Sequence, residues 1–442
     1  MHCPALATAA AAFVLAAGLA SAAAAAPTDP AERKMVTTVA AEHDRNLALL
    51  EKMVRVNSGT MNFKGVEEIG RMVRAELEPL GFEVRWVPMA QVGRSGHIVA
   101  SHKGNGRGKR MLLIGHLDTV FELDSPFQGW TLKGDIVEGP GVNDMKGGDV
   151  IMIAALRAMR AAGTLKDADI TVVMTGDEEK PGKPLSVDRA DLIAAGKASD
   201  VALDFEGLGR SGGQDIGSIA RRSSTTWTLT ANARSGHSSG VCMPEPGCGA
   251  VYELVRILDE FRRELAEPNL TYNVGVLAGG SSAEVNPTET GASATGKPNV
   301  IAAKALAVGD IRTLSNEQEA RVRAKMQAIV ARHLPKTEAE LSFADDGYPA
   351  MAPTEGNKAL LTRLNGVNKT LGLPEMPQGD PAKRGAGDIA FVAFIDGLVG
   401  LGMAGEGSHA PGETADLRSL DVQANRAALL MSRLSKEPRA KR

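Results

Sequence analysis

Five stretches of this sequence place imidazole or carboxylate side chains directly after mostly apolar runs. In the first, "LLIGHLDTV", the run ends at His116, and Asp118 follows two positions later. The other four stretches contribute Asp144, Glu178 with Glu179, Asp204 with Glu206, and His409. Imidazole and carboxylate groups are ligands that Zn²⁺ takes in hydrolases. None of the residues so placed is a serine or cysteine nucleophile, so the set predicts metal-dependent hydrolysis.

The spacing of His116 and Asp118 suits a metal ligand and the group that orients it. A zinc-binding imidazole needs its second nitrogen held by an acceptor, which fixes the tautomer. Side chains two positions apart on a strand point to the same side, so Asp118 can serve that purpose. An isolated HxD pair is weak evidence, because many histidines at strand ends are merely hydrogen-bonded.

Alternating helical and strand patterns predict the elements that position these residues. After a polar linker, apolar residues recur at helical spacing in residues 44–56 and 66–80, and again in 149–162. Residues 82–89 and 97–104 alternate as strands do, and "MLLIGH" is typical of a strand buried on both faces. The pattern predicts an α/β fold with a largely parallel sheet. The carboxyl ends of its strands would then form the site.

A different pattern occupies the middle of the chain. From "SSTTWTLTANA" to "AELSFADDG" the order is strand, helix (249–266), strand, strand, helix (316–333), strand, which is typical of a ferredoxin-like α+β unit. We therefore predict a catalytic domain in two parts, residues 27–220 and 348–442. A smaller inserted domain, residues 221–347, separates them.

Composition and the N-terminal segment indicate which class of protein this is and where in the cell it is expected. The chain has 442 residues and a net charge of −3 without a basic patch, which argues against nucleic-acid binding. Residues 1–26 combine an apolar middle with small residues before Pro27, which predicts a signal peptide and a periplasmic or secreted protein. An uncleaved membrane anchor is the alternative for this segment. No later segment is apolar enough to span a membrane.

The cysteines leave two interpretations open. Cys3 would be removed with the signal peptide, whereas Cys242 and Cys248 lie in "GVCMPEPGCGA", with a Pro/Gly turn between them. An exported protein can keep a disulfide between such a pair. Two free buried thiols are the other possibility.

Three motifs together resemble those of the M20 metallopeptidase family. "GHLDTV", "GPGVNDMKGG" and "TGDEE" occur in the family's order, and the resemblance runs from about Asn46 to the C-terminus. The family includes glutamate carboxypeptidases, aminoacylases and the succinyl-diaminopimelate and acetylornithine deacylases. The resemblance implies a zinc-dependent exopeptidase-like catalytic domain with an inserted dimerisation and lid domain. It also implies two Zn²⁺ per subunit and a homodimer, and the ligand set would accept Co²⁺ or Mn²⁺.

The resemblance also implies roles for the individual residues. His116 would bind one metal, Asp144 would bridge both, and Glu179 and His409 would bind the second. Glu178 would be the general base beside a water molecule acidified by the metals. The last ligand of the first metal is Glu206 or Asp204, of which "LDFEG" favours Glu206, by its likeness to "SFE" of glutamate carboxypeptidases.

Further residues match family positions that contact the substrate. His237 in "ARSGHSSG" resembles an imidazole that reaches the partner subunit's active site as an oxyanion donor, and Asn299 and Arg312 match positions that contact the substrate, often its carboxylate. Tyr348 in "GYPAM" stands where glutamate carboxypeptidases often carry Arg, so strict recognition of a C-terminal glutamate does not follow. Residues 383–393 match a glycine-rich segment near the specificity pocket.

The predicted function is a metallohydrolase that cleaves a peptide or amide bond next to a free carboxylate, of the glutamate carboxypeptidase type. An N-acyl-amino-acid deacylase uses the same residues and is the alternative, and a non-catalytic binding relative is a third reading. The substrate would be a small peptide or an N-acyl amino acid. His43, His97, His102 and His333 lie in polar surroundings, so we expect them to be exposed and without a role.

Overall fold

The computed structural model describes residues 27–286 and 290–439. The predicted signal peptide lies outside this part of the chain. The ten α-helices of the described residues are α1 (Pro30–Ala41), α2 (His43–Val54), α3 (Phe63–Leu77), α4 (Gly147–Ala161), α5 (Leu185–Asp188), α6 (Ala190–Ala198), α7 (Ala250–Glu264), α8 (Asn316–Val330), α9 (Glu355–Leu371) and α10 (Arg418–Leu434). None of these helices is both long and apolar enough to cross a membrane.

The strands of the described residues form two main sheets and several small ones. Their bounds are β1 (Glu83–Pro88), β2 (Gly96–His102), β3 (Arg110–His116), β4 (Thr131–Lys133), β5 (Ile136–Glu138), β6 (Asp169–Thr175), β7 (Val201–Asp204), β8 (Gly209–Ser211), β9 (Gln214–Ile216), β10 (Thr225–Ala233), β11 (Thr271–Gly280), β12 (Ser282–Val285), β13 (Ala292–Thr295), β14 (Lys304–Arg312), β15 (Thr337–Phe343), β16 (Asp396–Val399), β17 (Gly405–Glu406) and β18 (Thr414–Asp416).

The first main sheet has the strand order β1-β2-β6-β3-β7-β16. The pairings β6–β3, β3–β7 and β7–β16 are parallel, whereas β1 and β2 form an antiparallel hairpin at one edge. The predicted α/β class is therefore confirmed, with a mixed sheet. The carboxyl ends of the parallel strands meet along one edge.

Strand β3 is buried on both faces, as its apolar run predicted. Met111 and Leu113 pack into the larger core beside α4 and α10, whereas Leu112 and Ile114 pack into a second core on the other face. Burial on both sides fixes the register of β3, because a shift by one residue would exchange the two faces. The strand therefore holds its last residue, His116, in a defined position.

The segment before residue 44 differs from its prediction as a polar linker. It forms α1, in which Asp29 caps the first turn by accepting hydrogen bonds from the backbone of Ala31 and Glu32. Met35 and Val39, four positions apart, are buried against the main core. Two apolar residues per helix were too few for the sequence pattern to stand out among the polar ones.

The second main sheet is antiparallel, in the order β11-β14-β10-β15, with α7 and α8 sharing its core. This is the predicted ferredoxin-like arrangement, extended by the β12–β13 hairpin. Trp227 and Phe261 meet edge to face in its core, with ring centroids 6.1 Å apart. Near this sheet, Cys242 and Cys248 form a disulfide, which decides between the two interpretations of the sequence.

The chain enters and leaves the second sheet at one place. The backbone of Arg221 pairs with Met351, and that of Ser224 pairs with Tyr348, just before β10 and just after β15. The two connections thus lie side by side and continue directly into the first sheet's part of the molecule.

Candidate metal centre

His116 ends β3 with its imidazole completely buried. Nδ1 lies 3.1 Å from the backbone oxygen of Asp118 and 3.4 Å from the Asp118 carboxylate. With Nδ1 donating to that backbone oxygen, Nε2 faces the carboxylates of Asp144 and Glu206, at 3.2 and 3.7 Å. Burial opposes a charge on His116, but hydrogen bonds with Asp118, Asp144 and Glu206 outweigh it and raise its pKa well above the usual value.

Asp144 lies between the two histidines. It belongs to the short segment Val142–Lys146 that follows Gly141 and leads into α4. Its Oδ1 is 3.2 Å from His116 Nε2, and its Oδ2 is 3.2 Å from His409 Nε2. The imidazole contacts hold the pKa of Asp144 well below its ordinary value against the effect of burial. One carboxylate thus serves two imidazoles from distant parts of the chain.

Glu179 and His409 form the other side of the cluster. Glu179 Oε2 lies 3.1 Å from His409 Nε2, while Glu179 Oε1 is buried without a hydrogen-bond partner among the described residues. Burial raises the pKa of Glu179 to about 7, and contacts with Asp144 and Glu179 raise that of His409 to about 11. His409 is exposed, so the cluster opens to solvent on this side.

Glu206, rather than Asp204, faces the cluster. Glu206 Oε1 approaches His116, and its Oε2 lies 3.4 Å from Arg221. The Asp204 carboxylate instead turns back to accept a hydrogen bond from the backbone nitrogen of Glu206 at 3.1 Å. Burial raises the pKa of Asp204 to about 7. Asp204 therefore supports the turn that carries Glu206.

Glu178 is held through its backbone, which leaves its carboxylate available to the cluster. The Asp118 carboxylate accepts hydrogen bonds from the backbone nitrogens of Glu178 and Glu179, at 3.0 and 3.2 Å. The hydroxyl of Tyr348 donates to the backbone oxygen of Glu178 at 2.9 Å. Burial raises the pKa of Glu178 well above that of a free glutamate.

The spacing of these groups fits divalent cations. Ligand atoms at about 2.0 Å from a tetrahedral Zn²⁺ lie about 3.3 Å from one another. The contacts of Asp144 with both histidines and of Glu179 with His409 are 3.1–3.2 Å. The unpartnered Glu179 Oε1 adds a buried acceptor at the same place. The residues therefore fit two metal ions that share Asp144.

A sequence profile of the peptidase family M20/M25/M40 matches residues 112–433. The chain belongs to this family. Carboxypeptidase G2 from Pseudomonas sp. (strain RS-16) is 28% identical over 397 residues, covering 86% of this chain and 87% of that protein. A succinyl-diaminopimelate desuccinylase from Novosphingobium aromaticivorans is 29% identical over 368 residues, covering 79% and 88%.

Solved structures of M20 peptidases share the fold. The aminopeptidase PepT from Bacillus cereus superposes with a TM-score of 0.68 at 18% identity, covering 89% of this chain and 99% of that one. The YXEP protein of Bacillus subtilis, described as a dinuclear metal-binding peptidase of the M20 family, gives 0.61 at 16% identity, covering 89% and 98%. This M20 chain is a hydrolase, and it has the ligand groups of a dinuclear metal site.

Sequence reasoning missed Glu413, four positions after His409. Its buried carboxylate accepts hydrogen bonds from the backbone nitrogens of Gly141, Asn143 and Asp144, at 2.9, 2.7 and 2.9 Å. Glu413 therefore fixes the loop that carries Asp144, the candidate shared ligand of this M20 site. A charged residue in a Gly- and Pro-rich loop beside a predicted ligand was the available signal.

The prediction that His97 is exposed and without a role was wrong. His97 is 1% exposed; its Nδ1 accepts a hydrogen bond from the backbone of Gly176, and Nε2 lies 3.1 Å from the backbone oxygen of Asp188. Arg189 is buried beside it and pairs with Asp177, Asp188 and Asp388. Because a guanidinium already occupies these carboxylates, this cluster is a support for the loop before Glu178 rather than a second metal site.

Two of the predicted substrate-contacting residues lie far from the cluster. His237 is exposed and hydrogen-bonded to Ser239, and the neighbouring backbone of Ser238 donates to Asn299. Both lie beyond the far end of β10, whose nine residues extend about 27 Å from the connection to the first sheet. The positions of His237 and Asn299 in the sequence could not indicate that they lie this far from the cluster.

Arg312 lies at the opposite, near end of the second sheet. It ends β14, opposite Thr271, and its Nε donates to Asp310 at 2.8 Å. The next residue, Thr313, is hydrogen-bonded to Ser223 at the connection between the sheets. Arg312 and His237 therefore sit at opposite ends of the same sheet.

Proposed function

We propose that this chain is an exported dinuclear zinc hydrolase that cleaves a peptide or amide bond next to a free carboxylate. It acts as a carboxypeptidase of the glutamate carboxypeptidase type. The observation that carries the proposal is the position of Asp144, whose two oxygens each lie 3.2 Å from a different imidazole. A carboxylate so placed divides the surrounding side chains into one ligand set for each cation.

The two ligand sets follow from these contacts. His116, Asp144 and Glu206 would hold one Zn²⁺, and His409, Asp144 and Glu179 would hold the other. When bound, two such cations would polarise the carbonyl of the scissile amide and lower the pKa of a bound water molecule. Co²⁺ and Mn²⁺ suit the same nitrogen and oxygen ligands, so zinc is the part of this assignment that metal analysis must test.

Glu178 acts as the general base under this proposal. Its carboxylate lies within 4.8 Å of ligand atoms of His116 and Glu206, close to the cluster. Burial raises its pKa, which brings a carboxyl group nearer to the range in which it can both accept and return a proton at neutral pH. Glu178 accepts a proton from the attacking water and delivers it to the nitrogen of the leaving amine.

His237 belongs to the active site of a partner subunit under this proposal. Arg312 and His237 lie at opposite ends of the second sheet, so closure of that sheet over its own cluster cannot bring both side chains to one site. A second copy of the chain can supply His237 as the oxyanion donor and the neighbouring Asn299 as a substrate contact, while Arg312 of the same chain contacts the substrate carboxylate. The inserted domain then serves both as the dimer contact and as a lid.

An apolar surface of the inserted domain supports this dimer. Val251, Tyr252 and Val255 on α7 are exposed, as is Leu277 on the edge strand β11. Strand edges and exposed apolar patches are typical sites of association. Both features belong to one chain, so a twofold axis would bring equivalent surfaces together.

Export is proposed from the composition of residues 1–26 and supported by the Cys242–Cys248 disulfide. Disulfides persist mainly in oxidising compartments such as the periplasm and the cell exterior. A periplasmic or secreted hydrolase of this type would act on peptides or acylated amino acids that reach that compartment.

An N-acyl-amino-acid deacylase is the second candidate function. The specific observation in its favour is the 29% identity to a succinyl-diaminopimelate desuccinylase over 368 residues, beside the 28% identity to carboxypeptidase G2 over 397 residues. Both reactions hydrolyse an amide and need the same ligands and base. The two reactions differ in the group on the acyl side of the scissile amide, which is a peptide for the carboxypeptidase and a simple acid for the deacylase.

A substrate panel tests the proposal. The zinc-loaded protein is assayed for release of amine from dipeptides, from benzoyl and folyl amino acids, and from acetyl and succinyl amino acids. Fastest turnover of compounds with a C-terminal acidic amino acid supports the carboxypeptidase, and fastest turnover of acetyl or succinyl compounds supports the deacylase. No turnover of any amide by the metal-loaded protein would contradict both.

The variant Glu178→Gln separates an enzyme from a binding relative. We expect kcat to fall by about 10²–10⁴-fold with the metal content unchanged, because the variant removes the base and leaves the ligands. Glu67→Gln, on the exposed face of α3, is the matched control. Undiminished hydrolysis by Glu178→Gln would overturn the assignment of the base.

Co-expression of two inactive variants tests the partner-supplied imidazole. His237→Ala and Glu178→Gln chains together would restore activity, since one site of each mixed dimer has an intact base and an intact partner imidazole. Random pairing in a twofold dimer gives about a quarter of the wild-type activity. Activity no greater than that of the two variants purified separately would contradict the shared site.

A further inference from the structure

A cavity of about 470 Å³ lies beside the metal centre. Its wall includes Asp144, Glu178, Glu206 and His409 on one side, and the β8–β9 hairpin and residues 383–386 on the other. This volume lies in the range of small-molecule sites. Because the cavity borders the cluster, a substrate whose amide reaches the cluster can place one of its ends there.

The cavity wall carries three arginines and one lysine, and two of the arginines already have acidic partners within the protein. Arg210 pairs with Asp215 and Asp416, each at 2.9 Å. Arg221 lies 3.4 Å from Glu206 and donates to the backbone oxygen of Ala386. These two guanidinium groups therefore have partners before any substrate binds.

Arg384 differs from them. Among the described residues, no carboxylate lies within 4.0 Å of its guanidinium, although the side chain is partly buried. Its Nε donates to Ser218 Oγ at 2.9 Å, and Nη2 lies 3.5 Å from the backbone oxygen of Gly207. These contacts fix the plane of the group and leave Nη1 without an acceptor in the described part of the chain.

The neighbouring backbone makes room for this guanidinium. A Cβ at Gly209 would lie 2.1 Å from Arg384 Nη2, so a side chain there would displace it. Gly207 follows Glu206 directly, which links the guanidinium to the turn that carries a metal-facing carboxylate. Arg384 is thus held against the wall of the cavity at a fixed place relative to the metal centre.

The geometry points to Arg384 as a specificity-determining residue that binds a carboxylate of the substrate in this cavity. The inference rests on the proposed function and deepens it, because it names a residue and a charge preference for the same site. A guanidinium without a counter-ion at a fixed position suits a planar carboxylate, to which it can donate two parallel hydrogen bonds. The carboxylate belongs either to the amino-acid side of the amide or to the far end of the acyl group.

Paired substrates and the variant Arg384→Gln test this inference. Benzoyl-glutamate is compared with benzoyl-glutamine and with its α-amide, and succinyl-alanine with succinamoyl-alanine, so that each pair differs in one carboxylate. Wild type should prefer the acid of one pair, and Arg384→Gln should lower kcat/KM for that acid by about 10–100-fold while changing the amide by less than about twofold. The pair in which Arg384→Gln removes the preference for the acid shows whether the bound carboxylate belongs to the amino-acid side of the amide or to the far end of the acyl group.

Controls keep the outcome independent of folding. Arg384→Lys keeps the charge but loses the paired donors, so we expect an intermediate loss of kcat/KM for the acid. Arg107 is an exposed arginine in the loop before β3, and Arg107→Gln should leave kcat/KM unchanged for both the acid and the amide. Thermal unfolding of each variant shows whether the fold is retained. The inference would be overturned if Arg384→Gln lowered kcat/KM equally for the acid and the amide of every pair, or if the folded variant showed no loss of kcat/KM at all.

A binding measurement separates this inference from the proposed function. Calorimetric titration of glutamate and of succinate into the metal-loaded protein should show binding that Arg384→Gln weakens by about 10-fold or more. If no amide is hydrolysed but this difference is found, the inference stands and the proposed reaction fails. If amides are hydrolysed and neither acid binds better to wild type, the inference fails alone.

Discussion

The carboxylate of Asp118 accepts a hydrogen bond from the backbone nitrogen of Glu178, at 3.0 Å. Asp118 follows β3 and Glu178 follows β6, so this contact joins the loops at the ends of two paired parallel strands. The other carboxylate oxygen accepts from Thr60 Oγ1 and from the backbone of Glu179. Asp118 therefore positions Glu178, the proposed general base, and also lies beside Nδ1 of His116.

Replacement of Asp118 by Asn should impair catalysis more than folding. The amide nitrogen of Asn cannot accept one of the three hydrogen bonds, so the loop with Glu178 and Glu179 loses part of its support. We expect kcat/KM to fall by about 10–100-fold, measured by steady-state kinetics at saturating zinc. Asp124→Asn, on the exposed surface of the same loop, is the control, and equal activity of the two variants would contradict this role.

Replacement of Glu413 by Gln should destabilise the Asp144 loop. The carboxylate serves three backbone N–H groups, and the Gln amide leaves at least one of these buried donors unpaired. A loss of about 1–3 kcal/mol in the free energy of unfolding is expected from urea denaturation, together with weaker metal binding. The exposed Glu406→Gln should change neither quantity, and wild-type stability in Glu413→Gln would show that the three bonds are dispensable.

Replacement of Tyr348 by Phe should lower kcat. The hydroxyl accepts a hydrogen bond from Arg189 Nη2 and donates to the backbone of Glu178, both at 2.9 Å, so its removal frees the base from the buried arginine network. We expect about a 10-fold decrease in kcat with a smaller change in KM. Tyr272→Phe, in the second sheet, is the control. An increase in KM with kcat unchanged would instead assign Tyr348 to substrate binding.

Metal binding should release protons and strengthen with rising pH. Without metal, hydrogen bonds to carboxylates raise the pKa of His409 to about 11. Hydrogen bonds to carboxylates also raise the pKa of His116, against the effect of burial. Because only neutral imidazole and ionised carboxylate bind a metal, zinc must displace about two imidazole protons per chain at neutral pH and part of a third from Glu179, whose pKa is about 7. Calorimetry in buffers of different ionisation enthalpy measures this number, and a binding enthalpy that does not depend on the buffer would contradict it.

The same pKa shift predicts the pH dependence of the metal-free protein. A folded-state pKa of about 11 for His409, raised from 6.5, stabilises the fold fully below about pH 6.5. That contribution is lost as the pH rises towards 11. His409→Gln should therefore flatten the alkaline decline in the free energy of unfolding of metal-free protein, which pH-dependent denaturation measures.

Strand ends were the most predictable part of this molecule. The apolar run of β3 and its polar ending indicated both a buried strand and a ligand, because a sheet covered on two faces leaves only its edge for chemistry. The same reasoning indicated Asp144, Glu179 and His409, which the structure brings together. The βαββαβ order of the second sheet was equally readable, since its strands alternate and its helices have one apolar face.

Contacts between loops were not predictable from local patterns. Glu413, Tyr348 and Arg384 contact partners that are distant in sequence, so the local pattern could draw attention to their segments but could not indicate which atoms they contact. His97 was expected to be exposed because polar residues precede it in the chain, but its ring is enclosed by elements that follow much later in the chain. His237 lies far from the cluster because β10 runs away from the first sheet, and the direction of a strand cannot be inferred from the sequence pattern.

The most direct test of the account is the anomalous diffraction of crystals grown with zinc. We expect two peaks about 3.5–4 Å apart on either side of Asp144, one beside His116 and Glu206 and the other beside Glu179 and His409. A single peak, or peaks that leave either imidazole uncoordinated, would contradict a dinuclear site and the mechanism that depends on it.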